Sequence, residues 1–207
     1  MLKNQVLNTL LNFIKKHYPN YTKQQMLTIK YGLEGIYITI TKTIIIFLIA
    51  IYLNLFVDLI ILMLFYTLLR MFSFGLHANN SLVCLVASST LFIGATYLCT
   101  ILTINLQIKL ILAVISIIFF YKYSPADTTK KPINNIKRRN NYKLLSTITA
   151  ITYSFIIVFS NNHFIANTLL FSLVIQSFLT TPLAYKLFNQ QYNNYLQYKK
   201  GKEVGCD

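Results

Sequence analysis

Apolar residues gather in six runs, at 35–53, 55–69, 81–103, 104–121, 144–160 and 163–184, with short polar breaks between them. Each run is near the roughly 20 residues that a membrane-crossing helix requires, once tilt is allowed for. The pattern ahead of them is different. Leu2, Val6, Leu10, Phe13 and Ile14 recur at helical spacing while Lys3, Asn4, Asn8, Asn12 and Lys15 take the other positions, which predicts an amphipathic helix over 2–17. Pro19 stops it, and Thr22 with Gln25 three residues on forms a capping box that opens a second short helix to about Tyr31. Such a pair lies on a membrane surface, or holds a partner peptide.

Composition agrees with the runs. The 207 residues are 55% hydrophobic and only 12% charged, too apolar for one water-soluble core. The expected fold is therefore an all-α integral membrane protein, with about six transmembrane helices preceded by short amphipathic N-terminal helices. No apolar run with a small-residue cleavage site follows the start, so residues 1–34 are expected to remain in place.

Charge then orients the bundle. The formal net charge of +14 could indicate nucleic acid, but the basic residues sit between apolar runs rather than on one polar domain, so no nucleic-acid partner is expected. Residues 1–34 hold five Lys, residues 122–143 hold seven Lys and Arg, and residues 185–207 hold four Lys. With six spans these segments and Arg70 fall on one side, cytoplasmic by the positive-inside rule, with both termini. The links near Asn54, 103–105 and 161–162 are short, uncharged and external. Three parts follow: 1–34 at the cytoplasmic membrane surface, 35–188 as the six-helix domain with a basic loop at 122–143, and 189–207 as a cytoplasmic tail.

Three charges interrupt the apolar runs. Asp58 and Lys109 fall near the outer ends of their helices, where snorkelling suffices; Lys42 lies deeper and faces the bundle interior. Cys84, Cys99 and Cys206 have no paired spacing, so neither a disulfide framework nor a metal site is expected, and no cofactor.

The chemistry concentrates between Arg70 and Cys84. Cys84 and Cys99 are fifteen residues apart in one run, about 22 Å along a helix, and only Cys84 has reactive company. His77 precedes it by seven residues, about 10 Å if the segment were all helix, too far for proton transfer. Gly75 and the run Asn79-Asn80-Ser81 are turn formers and caps, however, so the third span is expected to begin near Asn80 or Ser81, with the chain folding back before it. His77 then reaches the thiol, and Cys84 falls in the first helical turn, where the dipole favours thiolate and backbone N–H groups bind an oxyanion. Arg70 either marks the interface or clamps a substrate carboxylate.

Together, Arg70, Gly75-Leu76-His77-Ala78 and Cys84 resemble the AgrB family, the membrane cysteine endopeptidases of Gram-positive peptide quorum sensing. A second stretch, Tyr123-Ser124-Pro125-Ala126-Asp127-Thr128 with Lys131-Pro132-Ile133, is similar to a segment that family members carry at the same place. Many relatives have paired glycines before the histidine; here Gly75 is followed by Leu76. The resemblance implies cleavage of an AgrD-like precursor peptide near its acidic C-terminal part. Cys84, activated by His77, would hold the N-terminal part as a thioester, which a cysteine or serine of that peptide displaces to close a thiolactone or lactone. It also implies homodimers in the bilayer of a bacterial cell membrane, with the active site at the cytoplasmic face. Asp127 is then either a turn-forming or salt-bridging residue of the basic loop, or the third member of a triad orienting His77.

The competing class is a polytopic transporter that uses Lys42, Asp58 and Lys109. Other protease types lack their motifs: one intramembrane aspartate stands where two are needed, and no Gly-x-Ser-x-Gly elbow or His-Glu-x-x-His helix occurs.

Overall fold

The structure is a computed structural model and describes residues 2–76, 81–128 and 133–196. These form eight helices: α1 (Leu2–His17), α2 (Lys23–Tyr52), α3 (Phe56–Ser73), α4 (Ser81–Ile101), α5 (Leu106–Tyr123), α6 (Ile136–Phe159), α7 (His163–Leu179) and α8 (Pro182–Leu187). The all-α membrane fold expected from the six runs is present. Helices α2 to α6 are long and apolar enough to cross a bilayer, and α7 is a shorter apolar helix. The chain divides into two compact units, Met1–Leu53 and Asn54–Asp207.

In the first unit α1 packs on α2, and Leu7 is buried while Leu10 and Phe13 stay exposed. The capping box at Thr22 is formed as expected: Gln25 N–H donates to Thr22 Oγ1 (3.3 Å) and Thr22 N–H to Gln25 Oε1 (2.8 Å). The helix it opens does not stop at Tyr31 but continues as one 30-residue helix through the first apolar run. Nothing between 31 and 35 breaks it, since Gly32 and Gly35 lower helix propensity without removing a hydrogen bond. Lys42 sits half-buried midway along α2.

The second unit is organised around α7. Leu169, Leu170 and Leu173 of α7 form its core with Leu69 of α3, Phe120 of α5, and Ala150, Tyr153 and Ile157 of α6. The surrounding helices turn large apolar side chains outward, among them Leu64, Ile111, Val114 and Phe155, each more than half exposed. In water that outer surface would drive aggregation; in a bilayer it is the solvated surface. Small and polar residues share the inside with that core and let the helices approach closely: Ala113, Ser116, Ser146 and Ala150 are buried, and Ser177 Oγ reaches Ser116 Oγ at 3.3 Å.

The short uncharged links are built from asparagines. Asn54 adopts φ +58 before α3, a left-handed conformation that Asn tolerates. Asn105 caps α5, and Asn162 caps α7 by accepting from Phe164 N–H and Ile165 N–H. Asn167 of α7 closes the end of α4 by donating to the carbonyls of Cys99 (3.3 Å) and Leu102 (2.7 Å). Carbonyls at a helix end have no partner within the helix, and this amide supplies one.

Two boundaries differ from the expected ones. The sixth run does not continue to 184: α7 ends at Leu179, and Thr181 caps a new helix with Pro182 in its first turn. Pro cannot continue a helix but suits the start of one. The basic stretch 122–143 is not all loop either. Helix α6 begins at Ile136 with Asn135 as its cap, so Lys137, Arg138, Arg139 and Lys143 lie on helical turns.

Candidate functional site

Where α3 ends, polar backbone is left that must find partners inside the bundle. Phe74 closes the helix with φ +58, and Gly75 follows at φ +127, a conformation that favours glycine. The chain here runs beside 124–126 as a single parallel bridge, Phe74 against Ala126. Gly75 N–H donates to the Ala126 carbonyl (3.0 Å), and Ala126 N–H to the Ser73 carbonyl (2.9 Å). Arg70 turns back over the same segment: one guanidinium nitrogen donates to the Tyr66 hydroxyl, the other to the Leu76 carbonyl (3.1 Å). From α7, Gln176 Nε2 donates to Ser73 Oγ (2.6 Å) and to the Phe74 carbonyl. The Phe74 ring meets Tyr142 edge-on at 4.9 Å, and Leu76 is buried among Ala126, Ala184 and Tyr185. Leu76 is thus an apolar anchor.

The partner segment is equally enclosed. Ser124, Pro125, Ala126 and Asp127 are all buried, and Ser124 Oγ bonds Ser146 Oγ at 2.7 Å. Asp127 is 2% exposed and is no solvated turn residue. Its carboxylate accepts from Tyr195 N–H (2.8 Å), and its carbonyl accepts from the Tyr185 hydroxyl (2.8 Å) and Asn194 Nδ2 (3.4 Å). Burial, with the Asp127 carboxylate adding to it, raises the Tyr185 phenol well above its ordinary range against the opposing pull of Arg70 and Arg139, so it stays a donor. Burial likewise pushes Tyr192 up to about 12. Arg139 covers the Tyr195 ring at 3.8 Å, so the segment after α8 is held on both sides.

The described part of α4 starts at Ser81, with Cys84 near that end, and the residues Asn79 and Asn80 expected to cap the helix lie outside the described residues. Cys84 is half-buried, and the Ser88 hydroxyl donates to its carbonyl (2.5 Å). Cys99, four turns on, is 2% exposed and packs with Leu62 and Ala95. One helix therefore carries one accessible and one enclosed thiol.

The pattern of the family described as Accessory gene regulator B matches residues 7–180. The chain belongs to that family. It is 27% identical to an AgrB-like protein of Clostridium acetobutylicum over 96% of each chain. It is 30% identical to an AgrB-like protein of Listeria innocua over 84% of this chain and 85% of that one. It is 28% identical to Accessory gene regulator protein B of Staphylococcus intermedius, over 79% of this chain and 86% of that one. No solved structure matches it.

As an Accessory gene regulator B family member, the chain brings some of its expected site residues together. Arg70 and Gly75 share one hydrogen-bonded frame with Ala126, the residue before Asp127. His77, together with Ala78 to Asn80, Lys131, Pro132 and Cys206, lies outside the described residues. Among the described residues no three His, Cys, Asp or Glu side chains gather to hold a metal ion. Asp58 and Lys109 occupy the first turns of α3 and α5, away from mid-span; Lys109 is 5% exposed there.

Gln176, Ser73, Tyr185 and Asn194 take part in the frame without having been singled out from sequence. Gln176 did leave a signal, as an amide in the middle of an apolar run. Attention to charged intramembrane residues alone passes over it.

Proposed function

We propose that this chain is a membrane-embedded cysteine endopeptidase that processes an AgrD-like precursor peptide of the accessory gene regulator system. The observation that carries the reading is the half-buried Cys84 near the described start of α4, eight residues along the sequence from the braced segment that ends at Leu76. The positive end of the α4 dipole favours the thiolate, and His77 takes the thiol proton. The thiolate attacks the scissile carbonyl, His77 returns the proton to the leaving amine, and the N-terminal part of the peptide remains on Sγ as a thioester. A thiol or hydroxyl of that peptide then displaces Sγ and closes the ring. Water would hydrolyse the thioester, so a site at the edge of an apolar bundle favours the cyclic product.

The other residues support these two. Gly75 permits the turn before His77, and Arg70 braces it through the Leu76 carbonyl. Asp127 holds the partner segment and is the candidate to orient His77. Lys122, Arg138, Arg139 and Lys143 lie where α5 ends and α6 begins, and under the positive-inside rule this charge supports the reading that the termini and the site face the cytoplasm of a bacterial cell. The basic end also suits a precursor with an acidic C-terminal part. The enzyme works as a homodimer in the bilayer.

The test is co-expression of the precursor with wild type, Cys84→Ala and His77→Ala, followed by mass spectrometry of the peptide. Wild type releases a C-terminal fragment, and both variants do not. Processing that survives Cys84→Ala would sink the reading and favour transport through the polar groups Lys42, Asp58 and Lys109.

A further inference from the structure

Gln176 is wholly buried near the end of α7, yet its side chain serves α3 rather than its own helix. Nε2 donates to Ser73 Oγ at 2.6 Å and to the Phe74 carbonyl. These partners fix which way the amide points. A carbonyl only accepts, and Ser73 Oγ already gives its proton to the Leu69 carbonyl at 2.8 Å, so both require the NH₂ group. Oε1 then faces the other way, buried and without a partner among the described residues. A side chain held by its donor end alone, with its acceptor left unsatisfied, is a costly way to fill space that Leu or Met would fill without penalty. What the amide adds is its grip on residues 73 and 74.

That grip acts at the turn itself. A Cβ on Gly75 would stand 3.4 Å from Gln176 Nε2 and 3.7 Å from the Leu179 carbonyl, so the end of α7 forms the wall against which the turn is set. Two residues further along the chain is His77. On the opposite side, Ala126 holds Ser73 and Gly75 through the backbone. Between them, Gln176 and Ala126 fix the segment from two directions, Ala126 through its backbone and Gln176 through its side chain.

We infer that Gln176 is a positioning residue: by holding Ser73 and the Phe74 carbonyl it sets the path of residues 73–76, and through that path the placing of His77 against Cys84. The inference rests on the cysteine endopeptidase reading above. It assigns Gln176 no contact with the substrate, so binding of the peptide does not depend on it.

The experiment uses full-length protein in nanodiscs, with Cys99 and Cys206 replaced by Ala and a synthetic precursor peptide as substrate. Gln176→Glu keeps the volume and removes the donors; Ser73→Ala is milder and removes only the hydroxyl acceptor. For both, kcat falls while KM stays within a factor of about two, by on the order of 10- to 100-fold for Gln176→Glu and less for Ser73→Ala. Alkylation of Cys84 by iodoacetamide, which needs no substrate, slows in the same order because the thiolate loses its imidazole. Ser172→Ala, also buried on α7, leaves kcat and alkylation unchanged. Wild-type kcat in Gln176→Glu overturns the inference, as does a loss confined to KM. If Gln176→Glu does not fold, Ser73→Ala with wild-type kcat and alkylation overturns it alone. Failure of the parental protein to cleave the peptide, or equal cleavage by its Cys84→Ala form, removes the endopeptidase reading itself and this inference with it.

Discussion

Residues 70–76 and the first turns of α4 stand on either side of His77, and they are held in different ways. The first segment is the last turn of α3 and the irregular backbone after it, and its polar groups are met by three elements: Arg70 and Ser73 of α3 itself, Ala126 of the following loop and Gln176 of α7. Past its first turn α4 needs no such frame, because a helix satisfies its own backbone there. The difference separates two duties. The frame fixes geometry and draws on sequence from the whole second unit, while the reactivity proposed for Cys84 draws on one helix. Damage to the frame should therefore cost stability and activity together, and damage at Cys84 should cost activity alone.

The largest frame effect is expected at Gly75. Gly75→Val forces a β-branched residue to φ +127 with its Cβ against Gln176, a strain of about 1–3 kcal/mol before any clash. Precursor processing, followed by mass spectrometry, should fall below detection. Asp127→Ala comes next. It removes the acceptor of the Tyr195 N–H and should lower stability by about 1–3 kcal/mol, seen as a lower unfolding temperature in detergent, with a parallel loss of processing. Tyr185→Phe removes one hydroxyl from the Asp127 carbonyl and should cost about 1 kcal/mol by the same measurement. The smallest effect is expected for Arg139→Ala, which loses the stacking over Tyr195, worth about 0.5–1 kcal/mol at a partly exposed site. Against this series, Cys84→Ala should unfold at the wild-type temperature. Frame variants that lose stability but process normally would break the comparison, because the frame would then have no bearing on the site.

Much of the architecture was legible along the chain. The six apolar runs correspond to α2 to α7. Boundaries were missed where two local signals compete. Thr181 and Pro182 lie inside an apolar run and end it, whereas Gly32 and Gly35 look like breaks and are not. Asp127 reads as a turn-forming or salt-bridging residue of the basic loop, or as a partner of His77, and sequence gives no sign that Tyr185, Asn194 and Tyr195 return to it. That contact spans about sixty residues and depends on the tertiary fold. Gln176 is legible only once an uncharged amide in hydrocarbon is treated as seriously as a lysine.

The central claim is that Cys84 forms an acyl bond with the N-terminal part of the precursor. The direct measurement is the intact mass of the protein, quenched in acid soon after mixing with precursor whose ring-closing residue is replaced by alanine so that the second step is blocked. The account expects an added mass equal to the N-terminal fragment less water, mapped to Cys84 and lost on treatment with hydroxylamine. Release of the C-terminal fragment with no adduct at any time, in a protein that turns over, would contradict it.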